Sequence, residues 1–192
     1  MIQVRKAVLD DVAGIATVHV ASWKETYRGM VPDEFLDNLS IQRRTEGWTN
    51  SLSDPSNLYH RAFVAEMRGQ IVGFSNYGFP QEKDAEFDGE LYAIYLLKSA
   101  QGQGIGRMLF AETLRGLLEL GSSSMLVWVL KDNPARGFYE HLGGVYLREK
   151  SIEIGGARLT EVAYGWRKLE NFQTACEAGQ AWGRMRRAIH PA

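Results

Sequence analysis

The chain has 192 residues, 45% of them hydrophobic and 23% charged, enough for one domain with a sizeable core or one domain plus a tail. Its formal net charge of −1 gives no global attraction for nucleic acid, and the one clustered basic segment is Arg184, Arg186 and Arg187. A single cysteine, Cys176, excludes an intrachain disulfide framework and fits a reducing compartment. The apolar runs are too short to span a bilayer, and residues 1–11 carry polar groups where a signal peptide needs an apolar stretch. The expectation is a soluble, cytoplasmic protein with neither nucleic acid nor membrane as partner.

In chain order, residues 2–8 alternate loosely and read as an edge strand. Asp10 and Asp11 offer an N-cap to a helix whose buried face holds Val12, Ile15, Ala16, His19 and Trp23. Gly29 and Pro32 interrupt it. A short helix with Phe35, Leu36 and Leu39 follows, and then a third over residues 41–52 that carries Trp48. Residues 62–67 and 71–77 read as a hairpin turned at Arg68-Gly69-Gln70. Residues 81–90 form a polar, acidic loop. The near-continuous apolar run 91–97 reads as a central strand buried on both faces.

That strand runs into Gln101-Gly102-Gln103-Gly104-Ile105-Gly106, and a helix follows with Leu109, Phe110, Thr113, Leu117 and Leu118 inward and Gly121 as its stop. Residues 125–130 are a further buried strand. Asn133-Pro134 suits the N-cap and first position of a short helix bearing Phe138, Tyr139 and Leu142 and closing at Gly143-Gly144. Strands 145–154 and 158–166 are joined by Gly155-Gly156 as a tight hairpin. Residues 169–192 differ in character and read as a terminal helix or a loose tail, which gives the division 1–168 for the domain and 169–192 for the rest.

A strand, a glycine-rich turn and a helix together make a phosphate cradle. The glycines let the backbone approach closely, successive N–H groups converge on an anion, and the positive end of the helix faces it. Two common versions fail here. The dinucleotide fingerprint needs glycine where Arg107 stands, and the triphosphate loop needs Gly-Lys followed by Ser or Thr. What remains is Gln-x-x-Gly-x-Gly, with Gln101, Gly104 and Gly106 in the fixed places.

On that motif the chain resembles the GNAT superfamily of acyl-CoA-dependent N-acetyltransferases. The second motif of that family, an asparagine opening a short helix that bears Phe-Tyr and ends at glycine, is matched by Asn133, Phe138-Tyr139 and Gly143-Gly144. The order of elements over residues 2–168 matches as well. The resemblance implies an α/β fold of the α+β type: a mixed, mostly antiparallel sheet with helices on both faces and central strands that splay to admit the cofactor. It implies acetyl-CoA as cosubstrate, with no metal, held by Gln101, Gly102, Gln103, Gly104, Ile105, Gly106 and Arg107. The backbone of Ile94 and Leu96 would pair with the pantetheine arm, and Asn133 would touch the cofactor or hold the loop beside it. Tyr139 would protonate the departing thiolate as general acid.

The reaction also needs an uncharged amine and therefore a base. Glu90 matches a catalytic glutamate of some protein-acetylating members, it equally reads as the last charge of a solvated acidic stretch, and by the same resemblance a water chain is the alternative to it as base. His19 reads as a buried helix residue, and His141 falls on another face of its helix from Tyr139. By the same resemblance the acceptor, a small-molecule amine or a peptide amine, would meet Trp23 and Tyr27, though Trp23 equally suits helix packing. The readings to be separated are a small-molecule N-acetyltransferase working by direct attack in a ternary complex, a protein or peptide N-acetyltransferase, and a non-catalytic acyl-CoA-binding module. Dimerisation is frequent in such proteins, and residues 169–192 are a candidate segment for a homodimer.

Overall fold

A computed structural model describes residues 1–54 and 56–172 of the chain. The alternating start folds as β1 (Ile2–Lys6), and the next elements are α1 (Val12–Thr26), α2 (Asp33–Asp37) and α3 (Ile41–Ser53). Strands β2 (Arg61–Met67), β3 (Gln70–Gly78) and β4 (Glu90–Leu96) follow, then α4 (Ile105–Glu119), β5 (Ser124–Leu130) and α5 (Arg136–His141). The long hairpin β6 (Val145–Ile154) and β7 (Ala157–Arg167) completes them. All seven strands share one sheet in the order β1-β2-β3-β4-β5-β7-β6. Every neighbouring pair is antiparallel except β4 with β5.

Both hairpins turn where the glycine pattern puts them. At β2–β3 the turn residues Arg68 and Gly69 have φ of +55° and +77°, and at β6–β7 Gly155 and Gly156 have +60° and +81°. Two successive residues at positive φ match the strand twist of a two-residue hairpin.

The strands bury both faces because helices cover each. In β2, Ala62 and Val64 face α1 and α3 while Phe63 and Ala65 face α4, following the period of two. Trp48 of α3 meets Phe74 edge-on at 5.1 Å, and its indole N–H donates to His19 Nδ1 at 3.3 Å. On the other face Leu109, Phe110, Leu114 and Leu117 of α4 are fully buried against Leu91 and Met125. A third cluster, with Tyr27, Val31, Leu36 and Leu130 at its centre, packs α2 and the end of α1 against the β6–β7 hairpin.

Three local expectations are corrected. A 3-10 turn over Leu9–Asp11 precedes α1, and Asp11 does not cap it through its side chain. Its carboxylate instead takes the Arg5 guanidinium at 2.7 Å through both oxygens and the Val8 N–H at 2.9 Å, tying the helix start to β1. Helix α5 begins at Arg136, not at Pro134, because Asn133 Oδ1 accepts from Ala135 N–H at 2.8 Å and the intervening residues form a separate turn. Finally, only Glu90 and Leu91 of β4 are fully buried. Residues 92–96 are half-buried, since β4 borders an open cleft.

The acidic loop 81–90 is not a free charged surface. Glu82 pairs with Lys150, Asp84 with Arg148 and Glu86 with Arg167, while Asp88 accepts from the N–H groups of Ser123 and Ser124. Phe87 anchors it, buried against Gly165, where a Cβ would come within 2.5 Å of the ring. The segment after 168 enters the core at once: Leu169 and Phe172 are buried in the α4-side cluster, and Leu169 N–H donates to Ser123 O at 2.9 Å. Cys176 and the basic residues Arg184, Arg186 and Arg187 lie outside the described residues.

Candidate active site

The site starts from a failure of pairing. β4 and β5 share a single parallel register pair, Glu90 with Leu126, and Leu126 N–H donates to Gly89 O at 3.0 Å. Beyond that point the two strands part, opening a cleft of about 750 Å³ between them. Leu97 N–H donates to Val72 O at 2.9 Å, so the antiparallel alternation turns the backbone groups of Leu96 and Ile94 away from β3 and into the gap. The Leu96 carbonyl already accepts from Ser22 Oγ and Gln101 Nε2, each at 3.3 Å, which fixes the turn against the strand end. Between Asn76 and Tyr77 the β3–β4 register slips by one, leaving Tyr92 as the bulged residue and aiming it toward the cleft.

At the cleft's mouth lies the glycine turn. Gly102 and Gly104 have φ of +74° and +81°, and a Cβ on either would meet nothing within 4 Å. The glycines are there for the left-handed backbone and the open approach, not for packing. Gly106 differs: a Cβ there would stand 3.2 Å from the Phe138 ring, so this glycine lets α5 lie against α4. Among the described residues, the N–H groups of residues 102–106 have no hydrogen-bond acceptor. With the positive end of α4 behind them and Lys98 and Arg107 beside them, neither in an ion pair among the described residues, they fit a diphosphate. Gln103 is the exception among the expected contacts, because its side-chain amide turns back to donate to Ser99 O at 3.1 Å and does not line the cleft.

The far wall is built by the turn after β5 and by α5. Asn133 is buried and holds that turn through its bond to Ala135 N–H while lining the cleft. Tyr139 is buried at 6% exposure, lines the cleft, and its hydroxyl has no hydrogen-bond partner among the described residues. Burial, reinforced by the neighbouring Tyr27, pushes its phenol far above the ordinary range, so it carries its proton at neutral pH. Ile94, Leu96, Gln101, Gly102, Gly104, Ile105, Gly106, Arg107, Asn133 and Tyr139 thus meet on one cleft.

Beside the cleft is a second slot of about 370 Å³ under the β6–β7 hairpin. Tyr27, Tyr92, Tyr95 and Trp128 belong to both spaces. Trp23 lines only the slot, half-buried, with its ring centroid 4.8 Å from Tyr27 and 6.0 Å from Phe35, so it packs the helix and walls the slot together. The Tyr27 and Tyr95 hydroxyls are 3.2 Å apart.

Glu90 opens onto neither space. It is 8% exposed and lines a separate polar pocket with Lys150 and Arg148, on the other side of Trp128. Its carboxylate accepts from Gln81 N–H at 2.9 Å, and burial raises its pKa. His19 is pushed down to about 3, by burial first and then by Arg44, and lies outside the cleft, as does exposed His141. Sequence reading missed Tyr92, Tyr95, Trp128 and Glu161. The first three sit in runs that read as strand core, and a lone polar residue in an alternating strand reads as solvent-facing.

A profile of the Acetyltransferase (GNAT) family matches residues 19–144. The uncharacterized N-acetyltransferase YuaI of Bacillus subtilis (strain 168) is 39% identical over 175 residues, which cover 91% of this chain and 98% of that protein. A mycothiol acetyltransferase of Rhodococcus jostii (strain RHA1) is 35% identical over 104 residues, 53% of this chain but only 32% of that longer protein. Among solved structures, the PaiA N-acetyltransferase of Thermoplasma acidophilum in complex with coenzyme A superposes with a TM-score of 0.66 at 21% identity, covering 87% of this chain and 99% of its own. YncA of Salmonella typhimurium, with acetyl-CoA as its cofactor, gives 0.66 at 17% identity over 87% of this chain and 94% of its own. These two share the fold. The chain belongs to the GNAT family of acetyltransferases.

Proposed function

We propose that the chain moves the acetyl group of acetyl-CoA to a primary amine of a small molecule, by direct attack in a ternary complex. The observation that carries this reading is the meeting of the unpartnered N–H groups of residues 102–106 and the unpartnered Tyr139 hydroxyl on one cleft. The turn, with Lys98 and Arg107, binds the phosphates. The backbone edge of β4 at Ile94 and Leu96 receives the extended arm by main-chain hydrogen bonds. Acetyl-CoA supplies the activated acyl carbon, and Tyr139 donates its proton at the sulfur as the thiolate leaves.

The lining supports direct attack. The described residues of the cleft include no thiol, and the Ser22 hydroxyl is engaged with Leu96 O. A small acceptor is favoured by the aromatic slot of about 370 Å³, whose rings suit a short apolar amine. We keep Glu90 as the proton acceptor, reached from the amine only through bridging water, since it opens onto neither the cleft nor the slot. Its raised pKa means that activity climbs with pH as the carboxyl ionises. Glu90→Gln should then lower kcat/KM and remove that acid limb, and an unchanged pH profile would take Glu90 out of the mechanism.

The reading is tested by an acceptor screen that follows thiol release from acetyl-CoA across small amines, amino acids, polyamines and peptides. Turnover should concentrate in the small amines, with intersecting lines in two-substrate kinetics. Parallel lines or a covalent acetyl-enzyme would overturn direct attack, and turnover confined to peptides would overturn the small acceptor.

A further inference from the structure

Resting on the acetyl-transfer reading, the geometry points to an acceptor that carries a second cationic centre, held in the aromatic slot by the carboxylate of Glu161. Nothing in the family resemblance singles out this residue.

On β7, Glu161 stands opposite Leu130 on β5 and Lys150 on β6. Residues paired across a sheet share a face, so its side chain projects where Leu130 does, into the cluster of Tyr27, Val31 and Leu36. There it lines the slot together with Trp23, Tyr27, Phe35, Tyr92, Tyr95 and Trp128. It is half-buried, and among the described residues its carboxylate takes part in no ion pair and no hydrogen bond.

Its cross-strand neighbour would be the natural partner, but Lys150 is committed elsewhere. The Lys150 ammonium lies 2.9 Å from Glu82 and sits over the Trp128 ring at 4.3 Å, on the side of the polar pocket. A carboxylate among six aromatic rings with its nearest cation engaged lacks a positive partner. Burial accordingly raises its pKa, which Lys150 offsets in part, and an incoming cation would favour the charged form.

The walls suit such a guest. Aromatic faces attract an ammonium that has shed part of its water, and they accept the methylene chain beside it. Exposed Glu153 at the rim adds negative charge to the approach. Arg44, over the outer Trp23 ring at 5.8 Å, is the opposing cation on that side. The slot and the cleft share Tyr27, Tyr92, Tyr95 and Trp128 as walls, which places a positive end held at Glu161 beside the space that leads to Tyr139. The chemical class is a short aliphatic amine with a second positive group, the two separated by an apolar spacer.

The test compares putrescine with butylamine and cadaverine with pentylamine as acceptors under saturating acetyl-CoA. In each pair the wild type should favour the diamine by at least about tenfold in kcat/KM. Glu161→Gln, close in shape, should bring the ratio to about one, mainly by raising KM for the diamine, and Glu161→Asp should keep part of the preference. No preference in either pair, or one that survives Glu161→Gln, overturns the inference while leaving acetyl transfer intact. If the wild type acetylates no amine at all, the acetyl-transfer reading has failed, and binding then decides this one. Saturable quenching of tryptophan fluorescence by putrescine, about tenfold weaker in Glu161→Gln, sustains it, and equal binding by the two proteins overturns it.

Discussion

Tyr139 is 6% exposed, and its hydroxyl meets the open cleft with no hydrogen-bond partner among the described residues. It holds its proton at neutral pH. Tyr139→Phe removes one oxygen and leaves the packing on Phe138 and Trp166, whose rings lie edge-on at 5.4 and 6.3 Å. The expected outcome is a fall in kcat of about a hundredfold at pH 7, with KM for acetyl-CoA little changed, read from steady-state thiol release. Full turnover in this variant would remove Tyr139 as the acid. At this scale the sequence is most legible where spacing encodes chemistry: Gln101, Gly104, Gly106, Asn133 and Tyr139 all line one cleft. It is least legible at Glu161, because a single polar residue in a strand has the same pattern whether it faces solvent or a slot.

Among elements, the turn before α4 divides labour among its glycines. Gly104 is needed for its backbone, at φ +81°, and Gly106 for its lack of a Cβ against Phe138. Gly104→Ala puts a side chain on a left-handed residue at a cost of about 1–2 kcal/mol, with open space around it. The N–H groups then lose their shared aim. Acetyl-CoA should bind at least about tenfold more weakly by calorimetry, while the thermal midpoint drops by only a few degrees. A large loss of stability with unchanged affinity would mean that the turn serves packing alone. Element identities were readable here because hairpin glycines, apolar periods and breakers agreed with one another. Helix starts were less so: Asp11 and Asn133 both carry capping side chains, yet one goes to Arg5 and Val8 and the other to a turn two residues ahead of its helix.

Across the whole molecule, α5 is braced from behind by the segment after β7. Phe172 is 2% exposed and lies against Gly143 at the exit of α5, where a Cβ would stand 3.1 Å from its ring. Phe172→Ala should therefore destabilise the domain by about 3 kcal/mol in denaturant unfolding, as for other buried aromatic truncations. A change of under about 0.5 kcal/mol would show that the chain after 168 contributes nothing to the fold. The same long-range logic covers the acidic loop. Its charges look free in the sequence and are engaged by Arg148, Lys150 and Arg167, which follow it by some sixty to eighty positions.

By itself the sequence determined the elements, their order, the glycine-rich turn and the tyrosine on its short helix, because these are local and depend on periodicity, backbone freedom and spacing. The tertiary structure decided what lies between them. The parting of β4 from β5 after one pair makes the cleft, and the return of the β6–β7 hairpin over α1 and α2 gives the aromatic slot one of its walls. It also separated Glu90 from that slot behind Trp128 and put Glu161 in it. Contacts of this kind join residues distant along the chain, and no local pattern records which face of a strand will meet a cavity.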